Sequence, residues 1–133
     1  MGGAKIRKAE WLAAVRWRQR VESVLASSEL TFTQWLVLDA TRNLIGATED
    51  AVSQGDVAAH LEMHRATVSD AMVALDRKGL ADRGGAAEGP AWRIFLTRKA
   101  SELLRQIDPL IEGVSEWQRV KPAEQQPNRR VGP

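Results

Sequence analysis

Residues 65–77 carry the side chains whose types and spacing fit recognition chemistry. Arg65 can fork the edge of a guanine or grip a phosphate, and Ser69 can bond to either. Thr67 stands near an expected helix start, where a hydroxyl and first-turn amides favour a phosphate. Ala66 and Val73 keep the same surface small, and Arg77 lies farther along it. Asp70 departs from the pattern, because phosphates repel a carboxylate, although it can accept from a cytosine amine. Arg83 and Arg93 are cations on either side of a Gly-containing segment that follows. Catalytic arrangements do not appear: there is no Ser/His/Asp order, no phosphate-binding Gly loop and no metalloprotease motif. Gly84-Gly85 reads as a turn tip, since no helix start follows it. His60 and His64 are four apart. Leu61 is expected to end the helix between them, and the chain has no Cys to complete a metal set. Neither an enzyme, a metal site nor a cofactor is expected.

The elements that must position these side chains follow from periodicity and punctuation. Residues 4–27 contain no Gly or Pro, and Trp11, Leu12, Val15, Val21, Val24 and Leu25 recur at helical spacings. Thr31 and Gln34 fit a capping box that opens a second helix, with Trp35 and Leu38 inward. Gly46 to Asp50 reads as a loop, and Ala51-Val52 as no more than a bridge. Ser53 and Asp56 fit a second box, opening a helix to about Leu61. Glu62-Met63-His64 is the turn. Residues 65–78 form the next helix, with Val68, Met72 and Leu75 inward at i, i+4 and i+7. Ala58 is small where the two helices must cross. Gly79 ends the second of them. Leu80–Arg83 and Ala91–Leu96 then read as two strands of a hairpin, with Trp92, Ile94 and Leu96 alternating against Arg93 and Phe95. Thr97 caps a last helix to about Trp117, which Pro109 should kink or split.

Composition sets the outer limits. The chain has 133 residues, enough for one domain with one core. No apolar run approaches the ~18 residues a membrane span needs, and no signal-peptide pattern opens the chain. Membrane association is not expected, and a cytoplasmic location is the default. The formal net charge is only +2, so cations must be arranged locally if the partner is nucleic acid. Residues 1–30 carry six basic against three acidic side chains, and residues 31–52 one against three. The expected fold is mostly α with a small β-wing. Residues 1–119 make a single winged helix-turn-helix domain, with its DNA-binding part at about 31–97. Helices at about 4–27 and 98–118 flank that part, the first apolar enough to face both its own core and a partner, and residues 120–133 form a polar tail.

The series Leu30-Thr31, Gln34-Trp35, Leu38, Val57-Ala58, Leu61, Thr67-Val68-Ser69, Leu75, Lys78-Gly79-Leu80, Arg83 and Phe95-Leu96-Thr97 resembles the MarR family of bacterial transcription regulators. The resemblance covers about residues 5–117. It implies a homodimer, interlocked through dimerisation helices at about 4–27 and 98–118, on a pseudo-palindromic operator in double-stranded DNA, commonly a repressor released by a small molecule. The DNA-binding residues expected on that reading are Arg65, Ala66, Thr67, Ser69, Asp70, Val73, Arg77, Arg83 and Arg93. It also implies a cleft between the dimer helices and the winged part for a small aromatic or apolar effector. Trp11, Val15, Trp35 and Leu38 are its expected lining. In two places the chain departs from the family. Glu88-Gly89-Pro90 occupies the places of the usual wing Asp-x-Arg, and Asp70 stands where a basic residue is frequent. These departures keep an alternative open: a winged-helix protein-interaction or dimerisation module with weak or no DNA binding.

Overall fold

The computed structural model describes the backbone of residues 2–83 and 92–124 and the side chains of residues 7–83 and 92–115. Helix α1 spans Gly2–Leu25 and tightens into a 3₁₀ turn at Ala26–Ser28. Helix α2 spans Phe32–Ala47 and opens with the expected box. Thr31 Oγ1 accepts from the Gln34 amide at 3.0 Å, and Gln34 Oε1 accepts from the Thr31 amide at 3.2 Å. Two amides that the helix itself cannot satisfy are thereby paired. The second box opens α3, Gln54–Leu61, with Ser53 Oγ accepting from the Asp56 amide at 3.0 Å and Asp56 returning to the Ser53 amide at 2.9 Å.

The turn into helix α4, Arg65–Arg77, is made by a left-handed residue, Glu62, at φ 55°. Its amide donates to Ala59 O, and the Met63 amide donates to Ala58 O at 3.0 Å. Gly79, at φ 75°, closes α4, with its amide on Asp76 O and that of Leu80 on Leu75 O, both at 2.9 Å.

Strands β1 (Ala81–Arg83) and β2 (Ile94–Leu96) pair antiparallel, Ala81 with Leu96 and Arg83 with Ile94. The return strand is shorter than the expected 91–96. Among the described residues the ladder runs no farther than Ile94, so Trp92 lies before it rather than in its inward row. The hairpin tip, with Glu88-Gly89-Pro90, lies outside the described residues. Ala51-Val52 forms no strand; Val52 O takes one bond, from the Ile94 amide at 2.9 Å.

Helix α5 spans Arg98–Glu124. Thr97 caps it, accepting from the Ala100 amide at 3.2 Å, while its hydroxyl donates to Gly79 O at 2.7 Å. The expected split at Pro109 does not occur. Proline removes one donor from the ladder, but Leu104 and Ile107 before it are buried, and Ile111 and Val114 after it also pack on the core. Both halves are thus held to the same surface. Nor does the helix end near residue 117. Residues 120–124, expected in the tail, are helical, in keeping with the helix formers Glu116, Gln118, Arg119 and Lys121 around them.

One core joins the elements. Val21 and Leu25 of α1, Val37 and Leu38 of α2, Val57 of α3, and Val68, Met72 and Leu75 of α4 are fully buried. Each such side chain contributes roughly 1.5–3 kcal/mol of burial. Trp17, Phe32 and Trp35 form an aromatic group in which Trp17 meets Phe32 edge-on at 5.6 Å and Trp35 at 6.2 Å. Trp17 Nε1 donates to Ser115 Oγ at 2.8 Å, tying α1 to α5. Among the described residues, no helix is long and apolar enough to cross a membrane.

Candidate nucleic-acid interface

Helix α4 sorts its side chains into two faces. Val68, Ala71, Met72 and Leu75 are buried against the core, with Val57 and Ala58 of α3 beneath them. Arg65, Ala66, Thr67, Asp70 and Arg77 are exposed, and Ser69 and Val73 are half-buried. The α3–α4 crossing therefore presents the N-terminal half of α4 outward, as the small, polar surface that groove entry requires.

The outward side chains are divided among separate hollows. Arg65, Arg83 and Trp92 line one of about 450 Å³ with Gln54 and Gly55 at the start of α3. The Arg65 guanidinium lies directly over α3: a Cβ on Gly55 would come 2.9 Å from Arg65 Nη2. Arg83 also stands 3.8 Å from Asp76. Thr67 and Asp70 line a smaller hollow of about 260 Å³ with Thr31, Thr33 and Gln34, beside the capped start of α2. Arg77 belongs to a third, with Lys78 and Lys99. Lys78 donates to Glu29 O and to Gln34 Oε1, so the C-terminus of α4 is fastened to the entry of α2.

Arg93 is not brought to Arg65. Cross-strand partners share a face and strand neighbours alternate, so Arg83 goes with Ile94, and Arg93 faces the other way. Its guanidinium stacks on Phe95, 4.7 Å from the ring centroid, in a hollow shared with Glu49 and Asp50. His60 and His64 are exposed. Among the described residues, no three His, Cys, Asp or Glu side chains are placed to hold a metal ion.

A cleft of about 470 Å³ separates the winged part from α5, lined by Trp17, Trp35, Asp39, Arg42, Asp108 and Ile111 among others. Of the four expected lining residues, only Trp35 reaches it. Leu38 is sealed in the core, Val15 is half-buried, and Trp11 is 63% exposed. Helical phase is the reason: at ~100° per residue, Trp11 and Val15 stand ~120° and ~160° around α1 from Trp17, which does face the cleft. The Trp35 indole N–H is buried there without a hydrogen-bond partner. At the cleft wall Arg42 binds both Asp108 and Asp39, and the Asp108 bond raises the arginine's pKa above its ordinary value.

Several of these site residues escaped the sequence reading. Trp92 was legible as part of an alternating strand, but not as the exposed residue just before it. Arg42 carried one local signal, Asp39 three residues earlier on the same helix.

No family model matches the chain, and no curated protein matches it. Solved structures do. A MarR family transcriptional regulator from Silicibacter pomeroyi superposes with a TM-score of 0.69 at 24% identity, covering 95% of this chain and 83% of that one. The MepR–DNA complex of S. aureus matches at TM-score 0.69 and 20% identity, covering 93% and 89%. Bordetella bronchiseptica BpsR, whose DNA binding is regulated by 6-hydroxynicotinic acid, matches at TM-score 0.67 and 22% identity, covering 89% and 79%. With five α-helices, a two-stranded sheet and a capped helix-turn-helix among the described residues, this chain has the winged helix-turn-helix fold of the MarR family of transcriptional regulators.

Proposed function

We propose that the chain is a DNA-binding transcription regulator, acting as a homodimer on a pseudo-palindromic operator. The observation that carries this is the sorting of α4: Val68, Met72 and Leu75 are fully buried while Arg65, Ala66, Thr67 and Asp70 are exposed. A helix held this way by a helix-turn-helix can enter a major groove. The likeness to MepR, solved with DNA, supports the same docking. Trp11 and Leu110, 63% and 55% exposed, leave apolar surface on α1 and α5 for a second copy. Repression is the proposed mode and the cytoplasm the proposed compartment. Release is proposed to come from a small aromatic or apolar effector in the Trp35 cleft, a role supported by the likeness to ligand-regulated BpsR.

One observation favours a second reading. Asp70 is exposed in the middle of the α4 surface and would repel phosphates, as suits a protein-interaction module with weak or no DNA binding. Selection from a random duplex library at moderate salt separates the two. The regulator reading expects an enriched inverted repeat with half-site centres ~34–36 Å apart. An unenriched library favours the interaction module.

A further inference from the structure

We propose that Arg65, Arg83 and Trp92 form a single clamp on the DNA backbone, in which two guanidiniums hold one phosphate and the indole covers the adjoining deoxyribose. This rests on the DNA-binding reading above.

Three elements converge on the hollow: Arg65 opens α4, Arg83 ends β1, and Trp92 precedes β2. Among the described residues, no carboxylate lines it. Gln54 does, and its buried Oε1 has no hydrogen-bond partner. Asp76 is 3.8 Å from Arg83, a separation that orients the guanidinium without a close hydrogen bond. No ion pair within 4.0 Å engages Arg65 among the described residues, so its charge is available to a phosphate.

Trp92 is 55% exposed beside these two cations. An indole left in water forgoes most of the burial that a tryptophan normally brings. A phosphodiester with its sugar fits such a setting. The phosphate takes charge-assisted bonds from the guanidiniums, the flat C–H face of the sugar takes the ring, and the indole N–H can donate to a phosphate oxygen. Arg65 belongs both to this hollow and to the outward half of α4, so a duplex laid on α4 brings its backbone to the hollow. The wing contact thus falls at the base of the hairpin, with Arg93 on the opposite face taking no part. Backbone contacts position a protein without reading sequence.

The test uses the full-length chain and the duplex enriched by wild type, with fluorescence anisotropy over a salt series. Trp92→Ala is expected to weaken binding about 5- to 20-fold on enriched and scrambled duplexes alike, with an unchanged salt slope because no charge is removed. Trp92→Phe should retain most of the affinity. Arg83→Ala should lower the slope by about one, and Arg93→Ala should not. Acrylamide quenching provides a readout that needs no truncation: DNA should shield a component of the wild-type fluorescence that Trp92→Phe lacks. Trp92→Ala within twofold of wild type, a loss confined to the enriched duplex, or no shielding would each overturn the clamp. Wild type that binds no duplex at all would instead remove the regulator reading on which the clamp rests.

Discussion

Arg42 forks Asp108 across the junction of α2 and α5, with Nη1 2.7 Å from one carboxylate oxygen and Nη2 3.1 Å from the other. Nη2 also donates to Asp39, 2.5 Å away on the same helix as Arg42. The helix that enters the winged part is thus latched to the long C-terminal helix by one planar group. Rotating that group without losing a bond is difficult, since a bidentate pair fixes orientation as well as distance.

Both partners are partly open to water, which limits what the latch contributes. A double-mutant cycle on Arg42→Ala and Asp108→Ala should give a coupling of about 0.5–1.5 kcal/mol in urea denaturation. The pH behaviour follows from the raised pKa of Arg42 in the folded state. A group raised on folding contributes fully below its unfolded pKa and loses that contribution as pH rises through the folded one. For this arginine both values lie above the working range, so its titration should leave the coupling the same at neutral and mildly alkaline pH.

Glu62 occupies a left-handed conformation at φ 55°, where a Cβ is strained. Glu62→Gly relieves that strain, offset by the greater freedom of glycine in the unfolded chain. The net expectation is a gain of about 0.5–1 kcal/mol, measured by thermal or urea unfolding. A loss of stability would mean that the Glu62 side chain contributes something that the turn geometry does not reveal.

Ala58 is 3% exposed where α3 crosses α4. Ala58→Leu should cost about 1–3 kcal/mol by overpacking. It should also weaken DNA binding more than that stability loss explains at temperatures where the variant remains folded, because α4 is displaced. Equal affinity for wild type and folded variant would show that the crossing does not set the position of α4.

Short-range chemistry was the legible part of the sequence. The boxes at Thr31–Gln34 and Ser53–Asp56 and the left-handed Gly79 each involve residues within a few positions, so local pattern sufficed. The inward row Val68, Met72 and Leu75 was readable because helical phase is preserved over two turns. Contacts between distant segments were not. Arg42 and Asp108 are 66 residues apart, and Trp17 and Ser115 are 98; no periodicity links them. The hollow between the winged part and α5 is faced from α1 by Trp17 rather than by Trp11 or Val15, a phase hard to read because that helix is apolar around much of its circumference. At Pro109 the helix is not split, because tertiary packing holds both sides of it. Trp92 obeyed the strand alternation in phase, but the ladder ended before it and left it in solvent.

The central claim is that α4 reads DNA through its outward N-terminal half. Affinity of the Arg65→Ala chain for the duplex enriched by wild type tests it most directly. Held on a phosphate at the start of α4, Arg65 should on truncation weaken binding to enriched and scrambled duplexes alike and lower the salt slope by about one. Undiminished affinity and an unchanged salt slope in a folded Arg65→Ala chain would contradict the placement of α4 in the groove.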